Sequence, residues 1–187
     1  MLRGPQGTLY GASTMGGLIK YVSQKPNTDR FAVDVQTGIS GTKDGEVGYN
    51  GSAVLNAPIV AGRAALRASA FYSRDAGYIN NVGLGDDDVN RADIYGGRLD
   101  LLLTPTDALT IRLGGFLQNI SREGQATADY AFAGSPLSDS LQQHRLFNES
   151  FDQQFRLVSG TIDYDFGPAT LTSVSSYPPP RRAALPA

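Results

Sequence analysis

The chain is 187 residues long, carries a formal net charge of -2 with an isoelectric point near 5.3, and has no cysteine. That balance offers no basic surface to nucleic acid, and the missing thiols exclude disulfides, thiolate catalysis and zinc-thiolate sites. Twenty-two glycines and nine tyrosines, with no apolar run long enough for a spanning helix, favour a β-rich chain over an α-helical membrane protein.

The chain opens MLRGPQGTLYGASTMGGLIKYVSQKPN, glycine-rich and without the apolar stretch that a secretory signal needs. Pro5 can start a helical turn, because the first helical position needs no N–H donor, and Gly11 can close it in the left-handed conformation. Residues 18–24 alternate enough for a strand, with Gly16 and Gly17 letting the backbone bend into it. On the residues alone, a turn with incidental glycines is the simpler reading.

From residue 31 onward a two-residue period dominates. Phe31, Val33, Val35 and Ile39 alternate with Asp34, Gln36 and Ser40, which predicts a strand with one apolar and one polar face. The pattern recurs, predicting strands at 31–40, 46–57, 64–75, 93–104, 109–121, 154–166 and 169–177. Short turns rich in Pro, Gly and Asp are expected at 42–45, 58–63, 105–108 and 167–168. A longer loop spans 76–91 and a much longer one 121–151.

The predicted fold is therefore all-β, an antiparallel up-and-down meander. The turns after strands two, four and six fall on one rim and the long loops on the other, as in outer-membrane barrels, and strands of about 10 residues match a tilted crossing. A soluble sandwich also alternates, but its strands average only about 5–6 residues. Tyr49, Tyr72, Tyr95, Tyr164 and Tyr177 on the apolar faces suit interfacial girdles.

Leu2-Arg3-Gly4-Pro5-Gln6-Gly7-Thr8-Leu9-Tyr10-Gly11, then Gly16-Gly17-Leu18-Ile19 and Lys25-Pro26, resembles the end of the plug domain of TonB-dependent outer-membrane receptors. Gly77-Tyr78 and Asp88-Val89-Asn90 resemble elements of the first long barrel loop in that family. The resemblance covers about residues 1–177. It divides the chain into a plug remnant (1–27), the first seven or so barrel strands (28–177) and a Pro-rich tail unlike the family (178–187). It implies an incomplete transmembrane barrel with a short plug remnant beside its inner face. Arg3, Gly4, Pro5, Gly7, Tyr10, Gly11, Gly16 and Gly17 are the plug-motif positions. Arg3 is carried over as a plug-to-barrel contact whose carboxylate partners lie in later strands.

Family members carry a signal peptide, a TonB-contacting box and most of a plug ahead of this point. The start at Met1 is therefore read as an internal start or a broken gene. The tail is read as a frameshift or truncated frame, because three consecutive prolines from Pro178 cannot feed a strand ladder.

Motifs for chemistry fail on inspection. Gly11 to Leu18 begins like a phosphate loop but has Gly17 and Leu18 where Lys and Ser or Thr are required, and Met15 breaks a nucleophile elbow. Asp86, Asp88 and Asn90 start like a calcium loop, yet Arg91 and Gly97 occupy its obligatory Gly and Glu positions. Asp163 and Asp165 share a strand face and suit a glycosidase pair, though a wet lumen wall explains them more simply. His144 has no second ligand at metal spacing. No catalytic residue, metal or cofactor is expected.

The expectation is thus a fragment of an active importer of a scarce ligand such as a ferric siderophore, not transport-competent alone. Its partners would be outer-membrane lipid, TonB in full-length relatives, and the iron-siderophore or similar ligand. Tyr78, Asn80, Asn81, His144 and Arg145 of the long loops are the ligand-contact candidates. Arg67, Arg98, Arg112 and Asp100 on the inner face would hold the plug or line the route. Two alternatives stand beside this reading: a small complete outer-membrane barrel, structural or adhesive, and a soluble secreted sandwich that binds or hydrolyses glycans.

Overall fold

The computed structural model describes residues 2–3, 17–18, 22–130 and 141–178. Seven strands build one antiparallel sheet: β1 (Ala32–Gly41), β2 (Val47–Val60), β3 (Ala64–Asp75), β4 (Ala92–Thr106), β5 (Leu109–Arg122), β6 (Phe151–Asp165) and β7 (Thr170–Tyr177). Each pairs with its sequence neighbours only, so the sheet is an all-β meander with β1 and β7 at its open edges. The other two sheets among the described residues have only two strands each, too few to form the second layer that a sandwich needs.

Strand bounds follow the predicted alternation closely, with three exceptions, the first being β6, which begins at Phe151 and not at 154. The turn expected at 58–63 is confined to 61–63, because β2 continues through Pro58 to Val60. The register slips between Pro58 and Val60, the irregularity that lets a residue without an N–H sit in a strand. Pro105 behaves likewise: β4 runs to Thr106, and its register slips between Leu103 and Thr106. Gly62 and Gly167 take positive φ in the two turns that reverse β2 and β6, a conformation that costs glycine nothing.

Register carries the alternation across the whole sheet. One row reads Val33, Leu55, Ala68, Leu99, Gly115, Val158 and Tyr177 across the seven strands. The row one residue along, on the opposite face, reads Ala32, Asn56, Arg67, Asp100, Gly114, Ser159 and Ser176. Burial is inverted relative to a water-soluble sheet. Leu99 is 51% exposed while its neighbour Asp100 is 3% exposed, and Val158 is 61% exposed while Asn56 is 1%. The apolar face stands open and the polar face is partly covered.

Outside the sheet, Leu2–Arg3 pairs antiparallel with Gly17–Leu18. The strand expected over 18–24 does not extend to residues 22–24, which have no regular secondary structure. The turn expected at Pro5 to Gly11, and the motif positions Gly4, Pro5, Gly7, Tyr10, Gly11 and Gly16, lie outside the described residues. Residues Ser23 and Gln24 lie against the polar face, beside Val54, Arg67, Ser69, Arg98 and Asp100. Much of the buried apolar material sits under the long-loop rim, where Ala76, Ile79, Val89 and Ala92 close together.

Candidate functional site

The two long connections meet on one rim and fold into a single clasp. Within the β3–β4 connection, Asn90 Oδ1 accepts from the backbone N–H groups of Tyr78 (2.8 Å) and Ile79 (2.9 Å), and the N–H of Val89 donates to Ile79 O at 2.8 Å. Asn80 Oδ1 accepts from the Asp88 N–H at 3.0 Å. Side-chain oxygens that satisfy backbone amides are how Asn stabilises irregular chain, and here they fold the loop over Ile79.

The β5–β6 connection then pairs with it. Asn80–Asn81 and Gln142–Gln143 form a short parallel ladder, with Asn80 N–H donating to Leu141 O (3.2 Å) and Val82 N–H to Gln143 O (2.9 Å). Asn81, 3% exposed, accepts at Oδ1 from the N–H groups of Gly83 (3.1 Å) and Arg145 (2.9 Å). Asp129 completes the join: its carboxylate accepts from the His144 N–H at 2.8 Å and from the Arg145 guanidinium at 3.1 Å. The His144 N–H, followed by Arg145, holds the Asp129 carboxyl below its ordinary range. Arg145 Nε also lies 3.7 Å from Glu149.

A second clamp ties the rim to the short β1–β2 turn. Arg91 donates to both carboxylate oxygens of Glu123 at 2.6 Å and to Glu46 at 2.7 Å, so one guanidinium joins three connections. Arg74 stands 3.8 Å from the other Glu46 oxygen. Burial, and then the charges of Glu46 and Asp87, push the Asp88 carboxyl up.

The five ligand-contact candidates therefore lie on this clasp and are used differently. His144 is exposed, and Tyr78 and Asn80 are half-buried. Asn81 and Arg145 are engaged in the internal bonds just described. Asp129, Asn90, Gln143 and Arg91 were not singled out as contacts from sequence, although Asn90 lies in the Asp88-Val89-Asn90 stretch already noted. Asn90 spends its side-chain oxygen on backbone amides, which leaves a calcium loop without that ligand. Asp163 accepts from Thr172 Oγ1 and Asp165 from the Gly167 N–H, each at 2.7 Å. On the polar face Arg98 pairs with Asp100, and Arg67 donates to Gln24 Oε1 at 2.9 Å. Of Arg3 and Gly17, the structure describes only the backbone pairing to each other.

A seven-stranded meander with its apolar face outward and its long loops clasped on one rim defines a β-sheet class whose exposed surface is apolar by construction. The chain is similar to the pesticin receptors of Yersinia enterocolitica and Yersinia pestis, with 33% identity over 107 residues. That stretch is 57% of this chain, and the chain spans 15% of the length of these relatives. No family model and no solved structure matches the chain.

Proposed function

We propose that the chain forms the end of the plug and the first strands of the barrel in a TonB-dependent outer-membrane receptor, which imports a scarce ligand such as a ferric siderophore. The observation that carries this reading is the inverted burial of adjacent residues, Leu99 exposed and Asp100 covered, which recurs in register on the inner strands, whereas the edge strand β7 is exposed on both faces. Such a sheet suits lipid on one face and a polar lumen on the other. Its similarity to receptors, and the plug-like opening stretch, point the same way.

In this reading the long-loop rim faces the cell exterior and the clasp presents the ligand surface. Tyr78 and His144 make the contacts, because Asn81 and Arg145 are occupied in holding the loops. TonB supplies energy from the short-turn side to move the plug. The work is binding and gating, and no bond in the ligand is broken.

The test is partition of the refolded chain between phospholipid vesicles and buffer. Leu99→Arg should exclude it from the membrane fraction, since a lipid-facing Arg costs about 2–4 kcal/mol near the bilayer midplane. Ser69→Arg, on the polar face, should not. Equal partition of the two variants sinks the face assignment. For the ligand, loss of ferric-siderophore binding in Tyr78→Ala and His144→Ala is expected, and unchanged binding removes those residues from the site.

A further inference from the structure

Among the described residues, hydrogen bonds hold the segment that leads from the polar face into β1 at two places of very different strength. Residues 27–30 fold around two asparagines. Asn27 Oδ1 accepts from the N–H groups of Asp29 (2.8 Å) and Arg30 (3.0 Å). Asn56 on β2, 1% exposed, then grips the turn from outside: its Oδ1 accepts from Asn27 N–H at 2.8 Å, and its Nδ2 donates to Asn27 O at 2.9 Å and Arg30 O at 2.5 Å. The Gly62 N–H adds a longer bond to Thr28 O. Pro26, just upstream, is buried. Ahead of that, among the described residues, the polar tie is a single exposed hydrogen bond, Arg67 to Gln24.

The position of Asn56 matters as much as its bonds. Its backbone partner across the ladder is Ala32, the first residue of β1. An edge strand pulled from its end unzips one pair at a time, beginning at that first pair, because among the described residues β1 pairs with β2 alone. The residue at which unzipping would begin is thus the one whose side chain also holds the turn before it.

We infer that Asn56 is a mechanical stop: it takes tension arriving from the upstream segment and keeps that tension off β1. Gln24 releases first, from Arg67, and residues 27–30 stay fixed to the sheet. The physiological role, isolating a barrel strand from a plug being drawn toward the short-turn rim, rests on the reading proposed above. The stop itself rests on the geometry.

Single-molecule pulling of the full chain in dodecyl maltoside micelles tests it, at a dilution that keeps the open edges of β1 and β7 from meeting other copies. The chain has no cysteine, so handles at Met1→Cys and at Asp107→Cys, whose side chain is 95% exposed, are unique. An early event ending near Gln24 should be lost in Arg67→Ala. A separate, stronger event should coincide with release of β1, about 20 Å further along the contour. In Asn56→Leu that stronger event should vanish, with β1 unzipping at the lower force. Pulling instead from the C-terminus, through β7, shows whether the Asn56→Leu sheet is folded, because Asn56 does not touch that edge.

A β1 release force unchanged in Asn56→Leu, with an unchanged β7 trace, overturns the stop even if the chain enters micelles. A chain that stays out of micelles but keeps the Asn56 dependence overturns the membrane reading and leaves the stop standing.

Discussion

Asn81 and Arg145 stand 64 residues apart in sequence, and the backbone N–H of Arg145 donates to Asn81 Oδ1 at 2.9 Å. With the neighbouring Asn80–Gln142 and Asn81–Gln143 pairs, that bond makes one surface from two long loops. A surface fixed before the ligand arrives loses less conformational entropy on binding than two free loops would.

Asn81→Ala leaves the N–H groups of Gly83 and Arg145 without their acceptor, which costs about 1–3 kcal/mol where such groups are buried. Hydrogen exchange should accelerate at 79–83 and 141–145 while the central strands keep their protection. Unchanged exchange at 141–145 would show that the ladder alone holds the loops.

Acid should open the clasp. The Asp129 carboxyl lies below its ordinary range because the His144 N–H, followed by Arg145, favours the charged form. A depressed folded value gives stability that is fully present above the unfolded carboxylate pKa and is lost as pH falls through the folded one. Asp88 acts in the opposite sense. Burial, with Glu46 and Asp87, raises its value, so the stability gained by protonating it disappears as pH rises through the folded pKa. Protection of the His144 amide should therefore fall on acidification below the usual carboxylate range. Asp129→Asn should flatten that dependence; a profile identical to the parent would assign the transition to another group.

The rim is packed too closely for added atoms at Gly77. A Cβ there would clash with the backbone oxygen of Asp88, whereas at Gly115 on the open apolar face it would meet nothing within 4 Å. Gly77→Ala should cost about 1–3 kcal/mol through overpacking, and Gly115→Ala should be tolerated. Denaturation midpoints of the two variants, compared with the parent, check this directly.

Removing the three-way clamp should loosen the rim in a salt-dependent manner. Arg91→Gln loses the bidentate bond to Glu123 and the bond to Glu46, a partly exposed network that contributes about 1 kcal/mol. Arg91→Lys should restore only part of it, since an ammonium cannot make the forked contact. If 0.5 M salt weakens the Arg91→Gln variant as much as the parent, the clamp is not electrostatic.

The meander itself was legible because strands write a two-residue period into the chain, and turn residues punctuate it. The runs around Val33, Leu66 and Leu99 marked strands and their faces together, since a slip of one residue would turn every side chain to the wrong face. Pro58 and Pro105 misled, reading as turns when each is absorbed by a register slip inside a strand. Only the full ladder reveals such a slip.

The sequence by itself determined the strands, their two faces and the rim on which Tyr78, Asn80, Asn81, His144 and Arg145 lie, because these follow from local alternation and chain direction. Tertiary structure alone decided which of those side chains stay open and which are consumed: Asn81 grips Arg145, Asp129 grips His144, and Asn56 grips the turn at Asn27. The reason is physical. A side chain that satisfies a distant backbone amide does so through three-dimensional proximity, and a bond between an Asn oxygen and an N–H 64 residues away leaves no period, spacing or composition to read.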